Sequence, residues 1–226
     1  MKLEKITNKP RRYHDACGAA HGLDLVGERW ALLVMRELMM GPRRFGDLKT
    51  DLCGLSANVL TQRLEGLEAS GIVRRRKLPP PASVQVYELT GWGRELRPLF
   101  ALLGRWAARS PLHDPTLPLS AVSCMMSMET MFQPDRAAHV EALIGFVFGD
   151  ESFVVRISEG VLTAERGEVA GAQTVFAGEV TAAPEYIYGK RPMAELEAEG
   201  RLTVTGDRAL ALRYQGWFDL PTKATV

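Results

Sequence analysis

The sequence lacks most of what marks a secreted scaffold, a membrane protein or an enzyme. It has three cysteines, Cys17, Cys53 and Cys124, an odd number set far apart, and that excludes a disulfide framework. No run of about 18 apolar residues is free of charge, so no membrane-spanning helix and no membrane partner are expected. Residues 1–15 (MKLEKITNKPRRYHD) lack an apolar core of signal-peptide length, which points to the cytoplasm. The HExxH, GxSxG, Walker A and GxGxxG motifs are all missing. No catalytic residue, no cofactor and no metal are therefore expected, and the chain does not read as an enzyme. One spacing suggests metal, His14-x2-Cys17-x3-His21, but it has no fourth ligand.

What is present is globular: 46% hydrophobic and 24% charged residues over 226 positions, enough for one large domain or two small ones. The net charge of +1 hides an asymmetry. Residues 1–115 hold 19 Lys and Arg against 12 Asp and Glu, a net of +7, whereas residues 116–226 hold 9 against 15, a net of −6. A basic half suggests a polyanionic partner. The sign changes in Ser110–Pro118, which has three prolines in nine residues, and proline stops helices. The domain boundary is therefore placed near residue 115.

In the first half Leu23, Val26, Trp30, Leu33 and Leu38 recur at helical spacing, and Gly41-Pro42 ends that helix. Phe45, Leu48 and Leu52 mark a second helix closed by Gly54. Ser56 suits the N-cap of a third, which Gly71 terminates. Strands follow over residues 72–78 and 84–89, around LPPPAS. Thr90 opens a last helix, in which Pro98 predicts a kink. This order predicts a winged helix-turn-helix. In the third helix Leu60, Leu64 and Leu67 share one face, and Asn58, Thr61, Gln62 and Glu65 share the other, a set suited to base edges in a major groove. Any surface helix has a polar face, and any basic run can be a solvated one. Here, though, two basic clusters flank the polar helix in order, Arg43-Arg44 before it and Arg74-Arg75-Arg76-Lys77 after it. Arg43 and Arg44 stand at a helix N-terminus, where they oppose the dipole and so do not serve helix stability. Strand alternation sends the four wing cations to two faces, leaving two or three for phosphates.

The text from Cys17 to Leu96, with GERW, GPRRFGDL, SANVLTQRLEGLEASG and YELTGWG, resembles an HxlR-type transcriptional regulator, a winged-helix family, over roughly residues 13–107. The resemblance implies a homodimer on double-stranded DNA, joined through the terminal helices of this domain. It also places Asn58, Thr61, Gln62 and Arg63 on or beside the reading helix, with Ser56 at its start. Cys17 is followed by Gly18 where the family often has proline. Some members sense electrophiles or oxidants through an N-terminal cysteine, and Cys17 lies near Arg11 and Arg12, whose charge favours a thiolate. An inert cysteine at a helix start is the other reading.

The second half is expected to be an α+β domain. It begins with a Met-rich helix over residues 121–132. Strands follow at 140–148, 152–157, 161–166 and 174–178, then helices at 183–188 and 193–199, a strand in GRLTVTGD, and a helix through Leu210 and Trp217. This order resembles the sterol-carrier-protein-like fold, which implies an apolar tunnel. Met125, Met128, Phe132, Phe146, Phe148, Tyr186, Trp217 and Phe218 are the candidate lining, and plain core packing is the alternative for each. A small apolar or amphipathic effector is expected; a buried Arg156 or Arg213 could meet one carboxylate. Three functional readings follow. They are a ligand-responsive DNA-binding regulator, a regulator switched through Cys17, and a lipid-carrier accessory whose winged helix contacts protein.

Overall fold

The computed structural model describes residues 12–225, so Arg11 lies outside the described residues. Contacts divide the chain into two units, Met1–Leu38 with Pro42–Arg94, and Met39–Gly41 with Glu95–Val226.

The first unit runs α1 (Gly18–Val26), α2 (Ala31–Leu38), α3 (Phe45–Asp51), α4 (Ala57–Ala69), β1 (Val73–Lys77), β2 (Gln85–Leu89) and α5 (Gly91–Arg94). The single helix expected from Leu23 to Leu38 is in fact two. Trp30 sits at φ +79, a left-handed conformation no α-helix can pass through, so α1 stops before it and α2 starts after it. Leu23 and Leu33 consequently stay 53% and 38% exposed rather than joining the core. Gly41, at φ +117, turns the chain after α2 where a side chain would be strained. Leu38, Leu48, Leu52, Leu60, Leu64, Leu67, Val73 and Val86 form the core. β1 and β2 pair antiparallel with Arg74 opposite Glu88 and Arg76 opposite Val86, giving the wing.

Thr90 accepts from the Gly93 N–H at 3.1 Å and so caps α5. The kink expected at Pro98 is a full break. α5 ends at Arg94, and a new helix, α6 (Arg97–Ala108), begins with Pro98 in its first turn, where a missing N–H costs no hydrogen bond.

In the second unit, α6 packs on α7 (Ala121–Met131), whose N-cap Ser120 accepts from the Ser123 N–H. Strands β3 (Ala142–Phe148), β4 (Glu151–Ser158), β5 (Val161–Arg166) and β6 (Thr174–Gly178) follow, then α8 (Ala182–Ile187), α9 (Met193–Ala198), β7 (Leu202–Gly206) and α10 (Arg208–Tyr214). They make one mixed sheet in the order β5-β4-β3-β6-β7, antiparallel except where β3 meets β6. Strand alternation buries Ile144, Phe146, Phe148, Phe153, Val155, Ile157 and Phe176 on one face. The expected helix through Trp217 closes at Tyr214 and tightens into a 3-10 turn over Gln215–Trp217.

Candidate nucleic-acid interface

The Ser56 hydroxyl accepts from the Val59 N–H at 3.3 Å and fixes where α4 starts. Phase then does the sorting. Leu60, Leu64 and Leu67 are at most 2% exposed, and Asn58, Thr61, Gln62 and Glu65 all face water. The hydrogen-bonding face anticipated from the sequence is therefore open along the helix. Arg63 is half-buried; its Nε donates to the Arg29 carbonyl at 2.9 Å and its Nη2 pairs with Glu28 at 3.1 Å. It ties α4 to the turn before α2 rather than lying on the open face.

The flanking cations differ among themselves. Arg43 is paired with Asp51, and its backbone bridges Tyr87 of β2. Arg44 is exposed, and its N–H donates to the Asp47 carboxylate at 3.1 Å. On the wing, Arg74 and Arg76 share one face, and both donate to Glu88, at 2.7 and 3.0 Å. They hold its carboxyl below the usual carboxylate range, Arg76 contributing most. Arg75 points the other way to Glu68 of α4 at 3.0 Å. Lys77 and Arg44 form no ion pair among the described residues. The three arginine side chains stay 41–61% exposed; Glu88 is buried and holds Arg74 and Arg76, whereas the Arg75–Glu68 pair is open at both ends and worth only about 0–1 kcal/mol, so a phosphate competes most readily for Arg75. Glu88 and Glu68 are what the sequence reading missed; the strand register and the helix-to-wing approach bring them to the arginines, and neither is visible in residue order.

Cys17 is exposed at the start of α1. The amide groups of Ala19 and then Ala20 hold its pKa below the ordinary thiol value. Cys124 is buried, and desolvation pushes its thiol up to about 12. Among the described residues no three His, Cys, Asp or Glu side chains gather as a metal site.

The eight residues named for an apolar tunnel are all buried in the second unit, and six of them, Met128, Phe132, Phe146, Phe148, Trp217 and Phe218, are linked by contacts through Tyr214. Phe146 contacts Phe148 and Tyr214, with ring centroids 6.0 and 5.9 Å apart, and Tyr214 meets Phe218 at 4.8 Å and Trp217 at 5.7 Å. Phe132 lies 5.8 Å from Phe218. Tyr186 donates to the Ala211 carbonyl at 2.6 Å, and Tyr214 to the Met128 sulfur at 3.3 Å. Met125 is fully buried. Arg156 and Arg213, read as buried anchors for a carboxylate, are both exposed. Strand and helix phase turn them away from the core.

On α6 the residues Leu99, Leu102, Leu103 and Trp106, spaced i, i+3, i+4, i+7, are 41%, 70%, 41% and 73% exposed. That is a continuous apolar stripe facing water.

Residues 25–113 match the HxlR-like helix-turn-helix family. The uncharacterised regulator sll1512 of Synechocystis is 42% identical over 83 residues, 37% of this chain and 62% of its own length. The match thus spans less than two thirds of that relative. The uncharacterised regulator YvaP of Bacillus subtilis is 34% identical over 38% of this chain and 79% of its own length. YodB of Bacillus subtilis is 36% identical over 37% of this chain and 74% of its own. A structure of its reduced form superposes at a TM-score of 0.39, with 31% identity, over 44% of this chain and all of that one. With the helices, the wing and these relatives in register, the chain belongs to the HxlR-like helix-turn-helix family of transcriptional regulators.

Proposed function

We propose that the protein is a cytoplasmic, homodimeric regulator that reads a two-fold-symmetric operator and answers a small molecule held by its C-terminal α+β domain. The observation that carries the DNA reading is the open face of α4. Asn58, Thr61 and Gln62 are exposed opposite three buried leucines, and cations lie before and after the helix in the fold. The exposed stripe on α6 supports the dimer. A mixed sheet with an aromatic core on one face supports a sterol-carrier-like role for residues 116–226, with residues 1–115 as the DNA-binding part. An effector entering that core displaces the Met125 and Met128 side chains, which repack easily because thioether chains are flexible.

The test is a division of labour. Against an operator selected from random duplexes, Asn58→Ala or Gln62→Ala relaxes sequence preference at a cost of about 1–3 kcal/mol on the selected site. Arg75→Ala or Lys77→Ala weakens binding to every duplex and lowers the salt slope by about one unit per lost phosphate contact. Fluorescence anisotropy across salt concentrations separates the two. Identical profiles for helix and wing variants overturn the assignment, and salt-independent binding favours a protein-contact module instead.

A second reading has its own observation, the exposed Cys17 with its lowered pKa. YodB, a relative, has been solved in reduced and quinone-bound forms. In this reading the thiolate of Cys17 meets an oxidant or electrophile and the C-terminal domain is structural.

A further inference from the structure

We propose that the second unit holds a binding site for a small organic monocarboxylate, in a cleft of about 480 Å3 anchored by Arg166. Every residue lining this cleft, Met39 and Met40 included, belongs to that unit. Its volume lies in the range of small-molecule sites, about 300–1,000 Å3.

Arg166 ends β5. Its Nη1 donates to Glu151 Oε1 at 2.8 Å, and its guanidinium lies 4.7 Å over the Phe153 ring. Those contacts occupy one end and one face of the group. Its Nε and Nη2 are shielded from solvent and meet no acceptor among the described residues. These two nitrogens share one edge of the guanidinium plane and donate side by side, the fork that a carboxylate fits with both oxygens. A buried charged donor without an acceptor is costly, and such groups in folded proteins have a reason. The side chain is still 26% exposed and lines the cleft, and binding requires its outer torsions to turn that edge toward the ligand.

The remaining polar groups are already committed. Arg97 donates through Nη2 to both oxygens of Glu129 at 2.7 Å, and Glu129 also accepts from the Ala164 N–H at 2.8 Å. That closed pair shapes the wall and leaves Arg166 as the cation with donors to give. Arg97 and Arg166 stand against Glu129, Glu165 and Glu151, so a carboxylate is held by the free fork of Arg166 and not by a net positive charge. One added carboxylate is the most these surroundings accept, and a dianion is disfavoured. Met39 and Met40 offer a polarisable apolar wall for the rest of the molecule. The cleft shares no lining residue with the aromatic core around Tyr214, which Arg166 meets through Phe153, and it stands without the operator reading.

The experiment is calorimetric titration of the full chain, without DNA, with acetate, benzoate and hexanoate, each beside its amide. At least one acid is expected to bind about tenfold or more tightly than its amide, because the amide lacks the charge and offers one acceptor oxygen. Arg166→Gln is expected to abolish that preference. The proposal is overturned if no acid is preferred over its amide, or if the preference survives Arg166→Gln. Should Arg166→Gln lose its circular dichroism spectrum, Arg166→Lys decides: it keeps the charge and loses the fork, so undiminished acid affinity there overturns the site. No readout involves an operator, so failure here leaves the DNA assignment standing, and failure of DNA binding leaves this one standing.

Discussion

Single residues set what the surface can do, and Cys17 is the clearest case. Its sulfur stands at the first turn of α1, exposed, where unpaired amide groups favour the thiolate. Cys124, buried with its pKa pushed up to about 12, is kept as a thiol. An electrophile such as a quinone should therefore modify Cys17 well before Cys124, as peptide mass mapping would record. Under reducing conditions Cys17→Ser should bind the operator as the wild type does. If effector-driven release survives in Cys17→Ser and oxidant-driven release disappears, both switches exist and are separable. Loss of every response in that variant removes the C-terminal domain from sensing. Arg43, singled out by the basic run, and Arg63, placed on or beside the reading helix by the family resemblance, are paired in the fold with Asp51 and with Glu28. A one-dimensional run of charge shows where cations are, and only the packing shows which of them are left for a partner.

At the scale of elements, the boundaries legible in the sequence were those with local chemistry. Ser56 and Gly71 bracket α4 because a hydroxyl satisfies an orphan amide at one end and glycine accepts a left-handed turn, φ +72, at the other. Strands β5 and β6 fall where β-branched and aromatic alternation places them. The split between α1 and α2 was illegible, since the left-handed Trp30 is imposed by the surrounding fold and not by tryptophan's own preference. The Arg166 cleft was equally hidden, because β5, α7 and the start of α6 meet only in three dimensions. If the cap on α4 is as local as this, Ser56→Ala should lower stability by about 1 kcal/mol, read as a shift in urea midpoint at constant m. An unchanged midpoint would mean that packing of Leu60, Leu64 and Leu67 alone positions the helix.

For the whole molecule, the open question is what covers α6. Burial of α6 against α7 uses one side of the helix, and Leu99, Leu102, Leu103 and Trp106 remain on the other. A contiguous exposed apolar stripe of this kind marks an interface. A second copy of the chain satisfies it most simply, since a two-fold axis brings the same four side chains together from both sides. A dimer carries two copies of α4, one for each half-site of a two-fold-symmetric operator. Leu102→Glu places a carboxylate in the centre of that contact, whereas in the monomer the position is 70% exposed and tolerates charge. The variant should therefore keep its circular dichroism spectrum as a monomer, lose the concentration-dependent part of the wild-type thermal midpoint, and sediment at half the wild-type mass. On DNA it should bind one half-site as weakly as a single module and lose the gain that the second half-site gives the wild type. A Leu102→Glu protein that still sediments as a dimer would place the interface elsewhere, with α1 and its exposed Leu23 the next surface to charge. A wild type that is monomeric at micromolar concentration and binds its operator one copy at a time would end the symmetric-operator proposal altogether.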